Sequence, residues 1–182
     1  MTGVAQDDRE DPEAPLVVRA ASPQDVPLLL ELFAELAEYE HLEHELRATE
    51  QRLGDALFGE RPAAAALIAE RGSQVAGYAL FFPTFSSFLT TRGVWLEDLF
   101  VRPPHRGAGV GRALLAAVAA HVHESGGERL EWAALDWNEL ALGFYRRIGA
   151  KTMNEWITHR LVGDALEQLA GESVAGPVGE RR

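Results

Sequence analysis

Cysteine is absent from this chain of 182 residues. That excludes disulfides, a thiolate nucleophile and a zinc–thiolate site. Lysine is almost absent too: Lys151 stands alone, and positive charge rests on arginine. Metal-ligand clusters are missing. His41 and His44 lie three apart and His121 and His123 two apart, but neither pair has a third ligand at metal spacing, so no metal is expected. No apolar run reaches the ~20 residues of a membrane span, so no membrane partner is expected. The segment 1–15, MTGVAQDDREDPEAP, is acidic and has no apolar h-region. It does not read as a secretory signal, and a cytoplasmic location is the expectation. Excess positive charge is lacking as well. A formal net charge of −11 argues against a nucleic-acid partner, which needs a basic stripe. The same acidic field suits a cationic small molecule.

What remains is an ordinary globular composition, 47% hydrophobic and 25% charged, long enough for one domain with a real core. The acidic segment 1–15 and the segment 171–182 (GESVAGPVGERR) read as disordered tails around a single domain at 16–170. Within it, 16–19 reads as a strand. Ser22 as N-cap and Pro23 at the first helical position open a helix to about Tyr39. Its far end is dense in acid: Glu35, Glu38, Glu40, Glu43 and Glu45. Thr49 caps a second helix ending near Gly59. Strands at 64–70 and 75–82 form a hairpin around Arg71-Gly72-Ser73-Gln74, with Pro83 expected to stop the pairing. A strand at 94–101 follows. A helix at 109–123 carries Val110, Leu114, Val118 and Val122 on one stripe, with Leu115 beside it. A strand at 130–135, a helix at 138–147, a strand at 156–162 and a short helix to Ala170 complete the series. A hairpin feeding a β–loop–α–β unit implies a mixed sheet in an α/β chain.

The most informative stretch is VRPPHRGAGVGR, 101–112, between a strand and a helix. Gly107, Gly109 and Gly111 let the backbone turn its N–H groups inward, and the helix N-terminus adds to that nest for phosphate oxygens. Arg106 and Arg112 are placed to add charge-assisted bonds. The loop is no Walker A motif, because no Gly-Lys-Ser/Thr follows. Nor does it have the dinucleotide spacing, which disfavours an oxidoreductase. A purely structural turn is the other reading of the glycines.

Arg106-Gly107-Ala108-Gly109-Val110-Gly111 resembles the Arg/Gln-x-x-Gly-x-Gly/Ala loop of GNAT acetyltransferases. Asp136-Trp137-Asn138 followed by Gly143-Phe144-Tyr145-Arg146-Arg147-Ile148-Gly149-Ala150 resembles a second signature of that family. The resemblance runs from about Leu16 to Ala170. The stretches ELAEYEHLEHEL, WLEDLFV and DWNELALGFYRRIGA are similar to diamine and polyamine N-acetyltransferases, the spermidine/spermine type, whose relatives include thialysine acetyltransferases. This implies a GNAT fold, a mixed central sheet with helices on both faces, and transfer of acetyl from acetyl-CoA to a small cationic amine by a homodimer.

The resemblance also implies roles. The loop 106–111 with Arg112 would hold the pyrophosphate of coenzyme A. Leu99, Phe100 and Val101 would flank its pantetheine arm, and Asn138 would contact it from the next helix start. Tyr145 would protonate the departing thiolate, a phenol near ~10 serving a thiol near ~8.5. Glu97 would bind the ammonium and help remove its proton. Alternation along a strand sends Asp98 to the opposite face, where a structural ion pair is expected. Tyr39 and Glu40 would contact the amine, and Trp132 and Trp137 would line the substrate side, core packing being the alternative for the tryptophans. Trp156-Ile157 stands where the polyamine enzymes carry acids, and Asp136 stands in place of a Glu. A lysine-like amino acid of the thialysine type or an antibiotic amine is therefore an alternative substrate. A non-catalytic acetyl-CoA-binding module is the alternative from another class.

Overall fold

A computed structural model describes residues 14–173, in two units that divide after Ala133. The expected tails lie almost wholly outside the described residues.

The first unit is built on one sheet of five strands: β1 (Leu16–Ala20), β2 (Ala65–Arg71), β3 (Gln74–Ser86), β4 (Thr91–Val101) and β5 (Arg129–Trp132), in that order across the sheet. The first four pair antiparallel, and β4 pairs β5 in parallel. The sheet is mixed, as the order of elements implies.

Helix α1 (Val26–Glu40) follows a short 3-10 turn at Pro23–Asp25. Ser22 and Asp25 close a capping box there, with the Ser22 N–H donating to Asp25 Oδ2 at 2.7 Å. Asp25 also takes a two-pronged bond from Arg19 at 2.8 Å on both oxygens, which holds its carboxyl far below the usual carboxylate range. That pair ties β1 to the start of α1. Helix α2 (Glu50–Phe58) is capped by Thr49, whose Oγ1 accepts from the Arg52 N–H at 3.3 Å. Leu29 and Leu32 of α1 and Leu53 and Leu57 of α2 bury with Ile68, Tyr78 and Phe100 in one cluster on one face of the sheet. Helix α3 (Val110–Glu124) packs on the strands from the other side. Its buried residues are Val110, Leu114, Leu115, Val118 and Val122, the stripe that the periodicity predicts. There the Phe81 ring meets His121 at 5.1 Å.

Two expectations about this sheet need correction. Pro83 does not stop the pairing: β3 runs through it, with Pro83 opposite Val94. The pairing of β2 ends at Phe81, so β3 has only one neighbour at Pro83, where a missing N–H is tolerated. Asp98 does not alternate with Glu97 across the sheet. Leu80 pairs with Asp98 while Phe81 pairs with Leu96, leaving Glu97 as an extra residue in a β-bulge. A bulge breaks the two-residue period and re-aims the side chains beside it.

The second unit holds α4 (Glu139–Arg147) and α5 (Gly163–Gly171). The strand expected at 156–162 is not formed. Its residues have no regular structure, and Trp156 and Ile157 are 72% and 77% exposed. Among the described residues this unit has no other strand to take its backbone hydrogen bonds, and a lone strand is not stable by itself. Among the described residues no helix is long and apolar enough to cross a membrane.

Candidate active site

The end of β4 organises the first unit's functional groups. Strand β5 pairs only with Gly93–Leu96, so from Glu97 to Val101 the same edge of β4 has no strand beside it among the described residues. Such an edge presents N–H and C=O groups to an extended ligand. Leu99 and Val101 are half-buried on this segment. Phe100 lies in the core at 3% exposure, so it offers a ligand its backbone alone.

Beyond Val101 the chain turns through a 3-10 segment, Pro103–His105, into the glycine loop. Gly107 and Gly109 hold φ of 77° and 84°, the left-handed region that side chains rarely adopt. A Cβ at either would meet nothing within 4 Å, so backbone conformation and not packing calls for glycine there. Open space over a left-handed backbone is the cradle that phosphate oxygens require, and the residues present fit that group. The Ala108 carbonyl is drawn aside by Arg71 Nη2, which donates to it at 3.0 Å. Gly109 is the N-cap of α3, whose first N–H groups have no partner within the helix. Val110 is buried in the core, Gly111 is half-buried against Val101, and Arg112 is exposed.

Arg106 is fixed before any ligand arrives. Its Nε donates to the Val101 carbonyl at 2.9 Å. Its guanidinium lies 4.4 Å from the centre of the Tyr39 ring and 5.9 Å from that of Phe100. Arg102 ties the same turn to α1 by pairing with Glu35 and Glu31.

On the α1 side of β4 is a cavity of 340 Å³. Four carboxylates line it: Glu40, Glu45, Glu97 and Asp98, with Tyr78 among them. Glu97 is exposed, and its Oε2 accepts from the Trp95 indole at 2.9 Å. Asp98 Oδ2 accepts from the Tyr78 hydroxyl at 3.0 Å. Burial pushes the Asp98 carboxyl up to about 6. The Tyr78 bond opposes this, and the charges of Glu97 and Glu40 add to it. Burial also raises Glu40. The Tyr78 phenol rises far above its ordinary value, first through burial and then through Asp98. The expected ion pair of Asp98 is absent among the described residues; its partner is a neutral phenol. A second hollow, of 420 Å³, lies beside α3 and β5 around His123 and Arg129, away from these groups.

Sequence reasoning singled out Glu40 and Glu97, and the fold brings them to one cavity. It missed Asp98, Glu45 and Tyr78 as parts of that cavity. Glu45 was one acid in a dense run, and nothing in its spacing separated it from a solvated face. Tyr39 is on the same helix as Glu40 but stacks on Arg106. Trp132 ends β5 in register with Leu96.

In the second unit, Asn138 caps α4: its Oδ1 accepts from the Ala141 N–H at 3.2 Å. Tyr145 is half-buried on α4, its ring 5.4 Å from Phe144. Trp137 is 49% exposed. Among the described residues no cluster of three or more His, Cys, Asp or Glu is arranged to hold a metal ion.

The sequence profile of the acetyltransferase (GNAT) family matches residues 27–150. A thialysine N-epsilon-acetyltransferase of Mus musculus is 35% identical over 85% of this chain and 96% of its own length. An L-ornithine N5-acetyltransferase of Arabidopsis thaliana is 33% identical over 84% of this chain and 86% of its own. Among solved structures, an integron cassette protein from the mobile metagenome of V. cholerae superposes with a TM-score of 0.71 at 28% identity. That match covers 85% of this chain and 97% of the other.

Proposed function

The chain belongs to the acetyltransferase (GNAT) family, and from that premise we propose that it carries acetyl from acetyl-CoA to the terminal primary amine of a small dicationic substrate. One observation carries the choice of substrate. Glu40, Glu45, Glu97 and Asp98 share a 340 Å³ cavity whose lining includes no basic residue. Such a cavity attracts ammonium groups and is large enough for a short chain between two of them.

The family uses acetyl-CoA as cosubstrate, which supplies the acetyl group activated as a thioester. The groups of this chain do the rest. An alkyl ammonium near pKa ~10.4 is a poor nucleophile until it loses a proton. Glu97, held by the Trp95 indole, takes that proton directly or through one water. The freed nitrogen bonds to the acetyl carbon and the carbon–sulfur bond breaks. Tyr145 gives its proton to the departing sulfur, and the second proton that the nitrogen loses as the amide forms restores the phenol. A backbone N–H near Leu99 is the donor for the carbonyl oxygen as it gains charge. Leu99 and Val101 pair with the pantetheine arm through the open edge of β4. The N–H groups of 107–112, with Arg106 and Arg112, hold the pyrophosphate, and Asn138 adds a contact. Trp132 borders the substrate side. The acetyltransferase domain is read as 16–170, and a homodimer is the expected assembly.

A diamino acid acetylated on its side-chain amine is the second reading. The relatives named for ornithine and thialysine favour it. The cavity's four carboxylates favour a diamine or polyamine, because its lining includes no basic residue to pair with a carboxylate.

Thiol release from acetyl-CoA, followed with putrescine, spermidine, spermine, ornithine, thialysine and an aminoglycoside, tests the proposal. Turnover on diamines above diamino acids is the expected order. The reverse order moves the assignment to the second reading. Binding of acetyl-CoA without turnover on any amine would leave a binding module.

A further inference from the structure

Tyr39 and Glu40 are neighbours at the end of α1, yet their side chains do different things. Successive residues on a helix point about 100° apart, so the two diverge. Glu40 lines the acidic cavity, and Tyr39 does not. The Arg106 guanidinium instead lies over the Tyr39 ring, 4.4 Å from its centre. Phe100, which rises from the core, approaches the same guanidinium at 5.9 Å. The Val101 carbonyl takes the Arg106 Nε–H at 2.9 Å. One carbonyl and two rings therefore fix the arginine's position. Arginine carries five N–H donors. Only Nε is engaged here, and neither Nη1 nor Nη2 bonds to another described residue. A ring face takes up the guanidinium plane and leaves the in-plane fork for an anion.

We propose that Tyr39 is a positioning residue of the phosphate loop, holding Arg106 with its fork presented to the pyrophosphate of acetyl-CoA, and is not a contact for the amine. This rests on the reading of the loop as the pyrophosphate site. Arginine is long and loses rotamer freedom when it binds an anion. Stacking removes that freedom in advance and so tightens binding without touching the ligand. Because Tyr39 and Glu40 share one helix end, the platform for the cofactor's phosphate and the acid for the amine are set by the same turn of α1.

Steady-state kinetics of the full chain test this with two acetyl donors, acetyl-CoA and S-acetylpantetheine, which lacks the pyrophosphate. Tyr39→Leu is expected to raise the KM for acetyl-CoA roughly five-fold. It should leave the KM for S-acetylpantetheine, the amine KM and kcat unchanged. Tyr39→Phe keeps the ring face and should match the wild type throughout. Tyr39→Met, close in volume, serves should the leucine variant not fold. Arg106→Lys, which loses the planar guanidinium, should show the same selective loss, and combining it with Tyr39→Leu should add nothing.

An equal rise for both donors, no rise for either, or a raised amine KM in Tyr39→Phe overturns the proposal. A wild type that does not prefer acetyl-CoA to S-acetylpantetheine overturns the phosphate-loop reading itself, which is a different failure.

Discussion

The Tyr78 hydroxyl donates to Asp98 Oδ2 at 3.0 Å, joining β3 to β4 at the wall of the acidic cavity. Tyr78 is fully buried, and Asp98 is half-buried with its carboxyl pushed up to about 6. The bond gives the carboxylate one good donor without a cation, which leaves its charge available to an ammonium group.

The raised Asp98 makes stability depend on pH in a defined window. Its ordinary value is 3.8 and its folded value about 6. Below the first, folded and unfolded chains both hold the proton. Between the two, the unfolded chain releases it and the folded chain keeps it, so stability falls as pH rises. Above about 6 the loss is constant. Asp98 accounts for about 2 kcal/mol of this, discounted for partial exposure. Urea midpoints from pH 4 to 7 should decline in the wild type and stay flatter in Asp98→Asn. Parallel declines would remove Asp98 as the cause.

Glu97→Gln and Tyr145→Phe test the proposed proton transfers. Each should lower kcat by about 10²-fold, the lower end for a general acid or base, while acetyl-CoA binding is kept. Full activity in either variant would strike that residue from the mechanism.

Glu40 and Glu45 line the same cavity but differ in depth. Glu40 is half-buried, whereas the Glu45 side chain is 69% exposed. Screening weakens an exposed charge. Glu40→Gln should raise the KM of a diamine by about five-fold and Glu45→Gln by no more than about two-fold, both fading with added salt. A monoamine of similar length should respond less to both. Equal effects on monoamine and diamine would show that neither acid reads the second charge.

Two glycines should fail in different ways. A Cβ on Gly77 would sit 2.2 Å from the Phe100 carbonyl, inside the β3–β4 pairing, so Gly77→Ala should destabilise the fold by about 3 kcal/mol. Gly109→Ala meets no atom within 4 Å but must keep φ at 84°. Its cost to stability should be about 1 kcal/mol, with a larger loss in acetyl-CoA affinity. Thermal melts and acetyl-CoA titrations of the two variants separate these outcomes. An unchanged acetyl-CoA affinity in Gly109→Ala would show that loop geometry does not matter for binding.

Much of this protein was legible in its residues. Ser22, Pro23 and Thr49 marked helix starts through their own chemistry, and the Val110–Val122 stripe marked the buried face of α3. The loop 106–111 was readable because glycine's freedom is a property of single residues. Local signals of this kind need no knowledge of what lies across the fold. The acidic cavity was only half legible. Glu97 and Asp98 are adjacent, and strand alternation alone sends them apart. What brings them together is the slip between Leu80 and Phe81 on β3 and Leu96 and Asp98 on β4. A bulge is a property of two strands in register, so neither strand's sequence records it. The same holds for Tyr39 and Arg106, 67 positions apart, and for Pro83, whose tolerance depends on where β2 stops. The sequence by itself determined the helix starts, the buried stripe of α3 and the glycine positions of the loop, because each follows from local residue chemistry. Only the tertiary structure decided which acids share the cavity and which aromatic ring carries the arginine, because those depend on register and on packing between distant segments.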